Sequence, residues 1–472
     1  MPRKCISRLF AAAVLTAVGY AQPPASSPIP PDSEIRGILM QRVDEFHQSV
    51  GIVVGMIGPD GRKVVSYGAL EKGDPRALNG DTVFEIGSVT KVFTSLLLSD
   101  MVQRGQVALT DPVSKYLPAG VKMPQRNGKQ ITLLDLATHT SGLPRIPGNF
   151  KPKDPANPYA DYSVAQLYEF LASYELPRDI GAQYEYSNLG GGLLGHVLTL
   201  RAGMDYEALV RARITAPLDM NSTSIALSPG MKARLAVGHD DKLKPVANWD
   251  LPTLAGAGAL RSTANDMLTF VAANIGGYTK TPLAPAMAAM LDVRRPSGAP
   301  GLDVALAWHI YSSPQGGSII WHNGGTGGYR SFIGYDPKTR IGVVVLANAE
   351  TTAGVDDIGL HLLNPKAPLL TASAFQPAKE RKEVAVDPKL FDKYAGRYQL
   401  APNFVLTITR EGDHLFAQAT GQPKFELFAE SEKEYFLKVV DAQITFDVDA
   451  GGAVNQLVLH QAGQNVPAKR IE

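Results

Sequence analysis

The first residues in this 472-residue chain whose types and spacing could support catalysis are Ser88 and Lys91. They follow a strand-like run at residues 83–86 and open a helical pattern that continues to residue 101. We therefore expect Ser88 at a helix N-terminus, where free N–H groups and the helix dipole favour negative charge on an attacking oxygen. Lys91 would share its face, and a buried lysine can take the proton that a serine must lose to become a nucleophile.

The pair has a simpler interpretation, because roughly one Ser-x-x-Lys spacing is expected by chance in a chain of this length and composition. In that interpretation Ser88 is an ordinary N-cap and Lys91 is a solvated charge. The rest of the sequence has to decide between the two.

A second candidate lies almost a hundred residues later, at Tyr186-Ser187-Asn188. A tyrosine serves as a general base only if its pKa falls below ~10, which a nearby ammonium group can achieve. We therefore expect a lowered pKa for Tyr186. Asn188 could donate to a substrate carbonyl and accept from Lys91. The alternative is a loop tyrosine that packs on the core, with Asn188 as a turn residue.

A third candidate is His322-Asn323-Gly324, which Gly325 and further glycines follow. Glycines let a substrate approach a strand backbone closely. A backbone N–H in this segment could complete an oxyanion hole with the N–H of Ser88, and His322 could hold an anionic group or tune the tyrosine. The alternative is a glycine-rich hairpin with an edge histidine.

His139 and Ser141 are also neighbours, as in a Ser–His hydrolase. No Gly-x-Ser-x-Gly elbow surrounds Ser141, so a structural role in a loop is the better interpretation.

Composition narrows the classes of function. A formal net charge of +1 argues against nucleic acid as a partner, since phosphate binding needs a basic surplus. A single cysteine excludes a thiolate-rich metal cluster, and the nine histidines lack zinc-site spacing. We expect no metal and no cofactor.

The beginning of the chain has the pattern of an export signal, with residues 1–21 as a signal peptide cleaved after Ala21. Basic residues precede a short apolar run at residues 9–18, too short to span a bilayer. No later stretch is long and apolar enough to do so. We expect a periplasmic or secreted protein with no stable membrane span after cleavage.

The elements that must position the candidates suggest an α+β fold. Residues 22–31 resemble a tether, and strand patterns occur at both ends of residues 32–363 with helical patterns between them. We expect one antiparallel sheet formed by both ends of this unit, flanked by helices, beside an all-helical lobe. The strand-like runs are residues 51–57, 63–67, 318–322, 330–335 and 342–347.

Composition changes again towards the end of the chain. Residues 364–387 are rich in Pro, Ala, Lys and Glu, which predicts a linker. Residues 388–472 contain short strand patterns only, which predicts a small antiparallel β barrel. Its six strand-like runs are residues 404–409, 415–418, 425–429, 435–439, 443–448 and 457–461.

Together, the three candidate motifs resemble those of the serine β-lactamase and penicillin-binding-protein superfamily. The match is nearest to the branch of class C β-lactamases, DD-peptidases and esterases, the beta-lactamase-related serine hydrolases of peptidase family S12 type. The resemblance covers about residues 31–349, and the segment after residue 364 resembles a small β domain often appended to such hydrolases. Besides the motifs, it is carried by residues 82–117, 131–144, 255–270 and 321–348.

The resemblance implies roles for individual residues. Ser88 would be the acylated nucleophile, and Lys91 and Tyr186 would form the proton-transfer pair. Asn188 would orient Lys91 and contact the substrate amide. The N–H groups of Ser88 and Gly325 would form the oxyanion hole. Gly325 would lie on a substrate-binding strand, together with His322, Asn323 and Gly324.

One departure bears on the substrate. Class C β-lactamases usually carry Lys-Thr-Gly where this chain has His322-Asn323-Gly324, and a histidine holds a carboxylate less reliably than a lysine. We therefore expect an exported serine hydrolase that is D-alanyl-D-alanine carboxypeptidase/endopeptidase-like or β-lactamase-like. Its substrates would be small molecules or peptides. The alternatives are an esterase of small acyl esters and a non-catalytic penicillin- or muropeptide-binding sensor. The sequence sets no oligomeric state.

Overall fold

A computed structural model describes residues 29–278, 280–312, 317–351, 353–372, 381–401, 404–420, 424–438, 442–449, 451–461 and 464–471. The predicted signal peptide and most of the predicted tether lie outside these residues. Within them, no helix has the length and apolar character needed to cross a membrane.

Both ends of the first unit meet in one antiparallel sheet, as the sequence predicts. Its strands lie in the order β2-β1-β14-β13-β12-β11-β10-β9, so the first and last strands of the unit, β1 and β14, are neighbours. Ile52 lies opposite Ala347 on one side and opposite Tyr67 on the other. The strands are β1 (Gly51–Gly58), β2 (Gly61–Gly68), β3 (Val83–Glu85), β4 (Gln125–Arg126), β5 (Lys129–Gln130), β6 (Gly238–His239), β7 (Pro245–Val246), β8 (Arg261–Thr263), β9 (Arg295–Pro296), β10 (Leu302–Val304), β11 (His309–Ser312), β12 (Ser318–Gly325), β13 (Arg330–Asp336) and β14 (Ile341–Ala347).

Helices cover both faces of the sheet, because the central strands are apolar on both sides. Val344 and Leu346 belong to the large core shared with the helical lobe, whereas Val343 and Val345 pack in a smaller core on the other face. This alternation follows from the two-residue period of a strand. The helices are α1 (Asp32–Met40), α2 (Thr90–Gln103), α3 (Leu133–Ala137), α4 (Val164–Ser173), α5 (Asn188–Ala202), α6 (Tyr206–Val210), α7 (Pro229–Lys232), α8 (Ala255–Gly258), α9 (Ala264–Ile275), α10 (Ala284–Ala289), α11 (Asp356–Leu363) and α12 (Phe391–Tyr394).

Helix α2 is buried from Thr90 to Met101 on every side, not on the single face that its apolar pattern indicates. Its polar residues can be buried because they form hydrogen bonds and ion pairs. Thr94 Oγ1 donates to the Gly256 carbonyl, Ser99 Oγ donates to the Ala286 carbonyl, and Asp100 pairs with Arg104. The helix that follows Ser88 is therefore enclosed on all sides within residues 32–363, the unit that contains the candidate catalytic residues and is called the catalytic unit below.

The C-terminal strands close into an eight-stranded antiparallel barrel. The sequence predicts six of them and misses the first and last, β15 and β22, which pair with each other through Tyr398 and Arg470. Part of the predicted linker lies against the barrel, since Val384 N–H donates to the Ala429 carbonyl. The strands are β15 (Gly396–Ala401), β16 (Phe404–Glu411), β17 (His414–Ala419), β18 (Lys424–Ala429), β19 (Glu434–Phe436), β20 (Ala442–Val448), β21 (Val454–Gln461) and β22 (Gln464–Arg470).

Candidate active site

Ser88 lies in a 3-10 turn, Gly87–Val89, that runs directly into α2. Two glycines let this turn lie against β12. Gly87 has a φ of +49°, and a Cβ there would lie 2.7 Å from the Gly325 backbone nitrogen. A Cβ on Gly324 would lie 2.1 Å from the Ile86 carbonyl oxygen and 3.0 Å from the Ser88 nitrogen. The backbone nitrogens of Ser88 and Gly325 therefore lie close together at the end of β12.

Lys91 is only 2% exposed, and its Nζ contacts three oxygen atoms. It lies 2.9 Å from Ser88 Oγ, 2.9 Å from Asn188 Oδ1 and 2.7 Å from the Ala257 carbonyl oxygen. Burial lowers the pKa of Lys91 well below its ordinary value, and the charge of Arg145 lowers it further. The solvated charge of the simpler interpretation is therefore wrong for Lys91.

Asn188 is the first residue of α5 and lies beside Lys91 because Ser187 caps that helix. Ser187 Oγ accepts from the Gly190 N–H at 2.8 Å. With its oxygen towards Lys91, the Asn188 amide uses its nitrogen to donate to Tyr159 Oη at 3.2 Å. Both ends of the amide are engaged, so its orientation is defined.

Tyr186 is half-buried, and its phenol shares a hydrogen bond with Ser88. The expected lowering of its pKa is wrong. Burial raises the pKa of Tyr186 to about 12, and the Ser88 hydrogen bond and the Arg145 charge only partly offset this. The Lys91 amine lies 4.9 Å from the centre of the Tyr186 ring, but burial outweighs it. The resting phenol is thus neutral and can donate a proton.

His139 holds the Tyr186 segment in place, a role that the sequence indicates only as structural. Its Nδ1 accepts from the Ser187 N–H at 3.2 Å, and its carbonyl accepts from the Glu185 N–H at 2.8 Å. Its ring centre lies 4.6 Å from that of Tyr186. His139 has a φ of +57°, which turns the loop back on itself.

His322 lies near Tyr186, in surroundings that disfavour a positive charge on its ring. Its side chain is fully buried, and the centres of the His322 and Tyr186 rings are 6.3 Å apart. Burial, with the nearby His309 and Lys91, lowers the pKa of His322 well below its ordinary value. Of the two roles that the sequence suggests for His322, this environment is unfavourable for holding an anionic group, and its position beside Tyr186 favours tuning the tyrosine.

The Asn323 side chain lies on the opposite face of the sheet from Ser88. Successive residues of a strand point to opposite faces, and Asn323 is paired with Phe332 of the smaller core. Its amide nitrogen donates to Asp356 Oδ2 in α11, a carboxyl whose pKa burial raises to about 6. The Asn323 amide is therefore turned away from Ser88, and only the Asn323 backbone could take part in the substrate-binding strand that the sequence predicts.

Arg145 is a site residue that no motif indicated. Its carbonyl accepts from the N–H groups of Asn188 and Leu189, at 3.0 and 3.2 Å. Its guanidinium carbon lies 5.1 Å from the centre of the Tyr186 ring, and the side chain is exposed. A loop contact brings it to the site, so only the folded chain reveals it.

A cavity of about 800 Å³ lies next to this site, between the catalytic unit and the barrel. Tyr184 lines it, and Tyr184 Oη lies 3.3 Å from His309 Nε2, whose ring packs near His322. Phe404 and Thr420 contribute to its wall from the barrel. Within the described residues, no group of three or more histidine, cysteine or acidic side chains could hold a metal ion.

Two family models match the chain. Residues 39–364 match the Beta-lactamase family, and residues 380–469 match a domain of unknown function, DUF3471. The first match covers every residue of the site described above.

Known proteins resemble the chain over most of its length. It is 31% identical to the D-alanyl-D-alanine-carboxypeptidase/endopeptidase AmpH of Escherichia coli, over 77% of this chain and 99% of AmpH. It is 26% identical to penicillin-binding protein 4* of Bacillus subtilis, over 92% of this chain and 98% of that protein. The structure of a class C β-lactamase from Rhodobacter sphaeroides superposes with a TM-score of 0.61 at 27% identity, covering 70% of this chain and 98% of that one.

Proposed function

The chain belongs to the Beta-lactamase family of serine hydrolases, and from this premise we propose that it is an exported enzyme that cleaves D-amino-acid peptides through an acyl-enzyme on Ser88. The observation that carries the proposal is the environment of Lys91. A buried lysine whose pKa is well below its ordinary value lies 2.9 Å from the Ser88 hydroxyl. A structural salt-bridge lysine would have a carboxylate partner, whereas the Lys91 amine lies against the neutral oxygens of Ser88, Asn188 and Ala257.

The contacts of Lys91 fix what its neutral form can do. A neutral amine has two N–H groups and one lone pair. Asn188 Oδ1 and the Ala257 carbonyl can only accept, so they take the two N–H groups. The lone pair is left for Ser88, whose hydroxyl can donate to it. Lys91 is therefore oriented to remove the Ser88 proton as Oγ attacks the substrate carbonyl.

Tyr186 would complete the proton transfer. When the tetrahedral intermediate collapses, the bond from carbon to the leaving nitrogen breaks and that nitrogen needs a proton. A neutral phenol can supply it, and the Lys91 ammonium can return the Ser88 proton to the phenolate. The leaving amine thus carries the proton from Tyr186, and Tyr186 is restored by the proton from Ser88, so the net result is transfer of one proton from Ser88 to the amine. A water molecule then hydrolyses the acyl-enzyme by the reverse roles.

The developing oxyanion would be held by the N–H groups of Ser88 and Gly325, which the close approach of Gly87 and Gly324 to their neighbours brings together. Strand β11 pairs with residues 318–321 of β12, and β12 continues to Gly325 beyond that pairing. An extended peptide could lie along this free edge as an added strand.

The substrate class is supported by the relatives. AmpH is named for D-alanyl-D-alanine carboxypeptidase and endopeptidase activity, and a second relative is named as a penicillin-binding protein. We propose the same class for this chain, with β-lactams as related acylating agents. Export is proposed from the basic and apolar pattern of residues 1–21.

A parallel assay on nitrocefin, a D-Ala-D-Ala peptide and a p-nitrophenyl ester tests the proposal, with Ser88→Ala and Tyr186→Phe as variants. We expect peptide cleavage by the wild type, a labelled-penicillin adduct at Ser88 by mass spectrometry, and neither with Ser88→Ala. Tyr186→Phe should fold normally and lose about 10²–10⁴-fold in turnover, as expected for loss of acid–base catalysis.

Each of the other outcomes identifies another function. Turnover of the ester alone would assign an esterase, and preferential turnover of nitrocefin would assign a β-lactamase. A stable adduct without turnover of any substrate would assign a sensor. Hydrolysis that persists in Ser88→Ala would refute the acyl-enzyme mechanism itself.

A further inference from the structure

We propose that Arg145 determines substrate specificity by binding a carboxylate of the substrate beside Tyr186, an inference that rests on the function proposed above. Class C β-lactamases usually have a lysine, with a fixed positive charge, at the position of His322. In this chain the Arg145 guanidinium would supply that charge from a different element. The substrates preferred by this enzyme would then be peptides with a free carboxylate close to the scissile bond.

Arg145 is placed by backbone contacts and not by chance. Its carbonyl accepts from the first two N–H groups of α5, those of Asn188 and Leu189. The main chain of Arg145 is therefore tied to the same helix end that orients Lys91. Its side chain then extends to the Tyr186 ring, at 5.1 Å from the ring centre. A cation at this distance over an aromatic face is favourable and keeps the guanidinium beside Tyr186.

The guanidinium has no anionic partner in the described part of the chain. It takes part in none of the ion pairs found there, although the nearby Arg178 is paired with Glu185. The charged groups that shift the pKa values of Lys91 and His139 are all basic, and Arg145 is among them. The Arg145 charge is therefore not compensated by a carboxylate within the described residues, and an anionic ligand would neutralise it.

The other basic groups of the site cannot take this role. The Lys91 amine is buried and bonded to Ser88, Asn188 and the Ala257 carbonyl. The His322 ring is fully buried, and its environment favours the neutral form. Arg145 is exposed, always charged and able to bind a carboxylate through two parallel N–H groups.

Two positions on a peptide could supply the carboxylate. One is the free C-terminus of the leaving residue, and the other is a side-chain carboxylate in the acyl portion. Both present the same planar group to a guanidinium, and the experiment separates them. Two matched substrate pairs are needed, one with a free or an amidated C-terminus and one with a glutamate or a glutamine before the scissile residue.

The experiment compares the wild type with Arg145→Gln and Arg145→Lys. The readout is the ratio of kcat/KM for the charged substrate to kcat/KM for its neutral partner. We expect Arg145→Gln to lower this ratio about tenfold or more in one of the two pairs, mainly through KM, as for loss of a charge-assisted hydrogen bond. Arg145→Lys should restore part of it. Higher ionic strength should lower the ratio in the wild type more than in Arg145→Gln.

Arg340→Gln is the matched control, since the Arg340 guanidinium lies 4.5 Å from the Tyr278 ring centre, at the opposite end of β13. It should leave both ratios as in the wild type. Ratios that are unchanged in Arg145→Gln for both pairs would overturn the inference. Failure of the proposed function is distinguishable, because it appears as hydrolysis that Ser88→Ala retains, whatever the substrate charge.

Discussion

At the scale of single residues, the site depends on burying a base. Taking an ammonium group out of water is unfavourable unless an opposite charge compensates, and Lys91 meets a serine, an amide and a carbonyl instead. The energetic cost of that burial is what lowers its pKa. The same burial raises the pKa of Tyr186, so burial favours the neutral amine and the neutral phenol on either side of one hydroxyl.

A pH profile should reveal this arrangement. We expect the rate of Ser88 acylation by a fluorescent penicillin to rise with pH and to level off well below 10.5, the ordinary pKa of lysine, because neutral Lys91 is the reactive form. Arg145→Gln removes a charge that lowers this pKa, so the rising limb should move to higher pH. Arg340→Gln should leave it in place. If the rate in the wild type rises only at or above pH 10.5, Lys91 is not the base.

The sequence could indicate the residues of the site but not their electrostatics. Ser88, Lys91, Tyr186 and Asn188 are recognisable from type and order, and the structure brings all four together. The pKa of Tyr186 was predicted with the wrong sign because a sequence does not state how much water a side chain loses. Arg145 stayed hidden because its approach depends on a loop that no periodic pattern describes.

At the scale of elements, the site is positioned by helices that approach unusually closely. Helix α5 carries four glycines in its first eight residues and packs on α8 through them. A Cβ on Gly195 would lie 2.8 Å from the Gly256 Cα, and a Cβ on Gly192 would lie 2.6 Å from the Leu254 side chain. Helix α8 in turn carries the Ala257 carbonyl that accepts from Lys91. The spacing of these two helices therefore sets the position of the base.

Substituting alanine at two helical glycines tests this argument. Gly195→Ala places a methyl group against backbone, so we expect a loss of about 1–3 kcal/mol in unfolding free energy and slower acylation of Ser88. Gly37→Ala in exposed α1 has open space around its Cβ and should gain about 0.5–1 kcal/mol without affecting acylation. Urea denaturation and stopped-flow acylation measure both quantities. Equal acylation rates in the two variants would contradict the proposed coupling of α8 to Lys91.

Whether a segment forms a strand or a helix was easier to predict from the sequence than what surrounds that segment in the fold. The five strand-like runs of the central sheet are confirmed, because β-branched residues between turn residues leave few alternatives. Helix α2 was expected to bury one face, whereas its serines and threonines are buried as well. Those residues look solvent-exposed in a sequence, and only their partners on other helices, such as the Gly256 carbonyl for Thr94, make burial acceptable.

At the scale of the whole molecule, the catalytic unit and the barrel have separate cores. The sheet has an apolar core on each face, one of them shared with the helical lobe, and the barrel has a third core, composed of its own residues and α12. The sequence missed β15 and β22 because they are rich in polar residues, Arg397 and Lys469 among them, and only barrel closure pairs them. Residues of the barrel, Phe404 and Thr420, line the cavity beside Tyr184 together with residues of the catalytic unit.

Separate cores predict separate unfolding transitions, and the chain offers two matched aromatic stacks to test them. Phe446 stacks on Tyr394 in the barrel, and Phe270 stacks on Phe93 in the catalytic unit, both with ring centres 4.2 Å apart. Each change to alanine should destabilise its own unit by about 3–5 kcal/mol. In calorimetry, we expect Phe446→Ala to lower the midpoint temperature of one transition. At temperatures below that transition, the rate of Ser88 acylation should be unchanged. Phe270→Ala should lower the midpoint temperature of the other transition, and acylation should be lost on heating at that lowered temperature. A single transition that both variants lower equally would mean that the barrel and the catalytic unit unfold as one body.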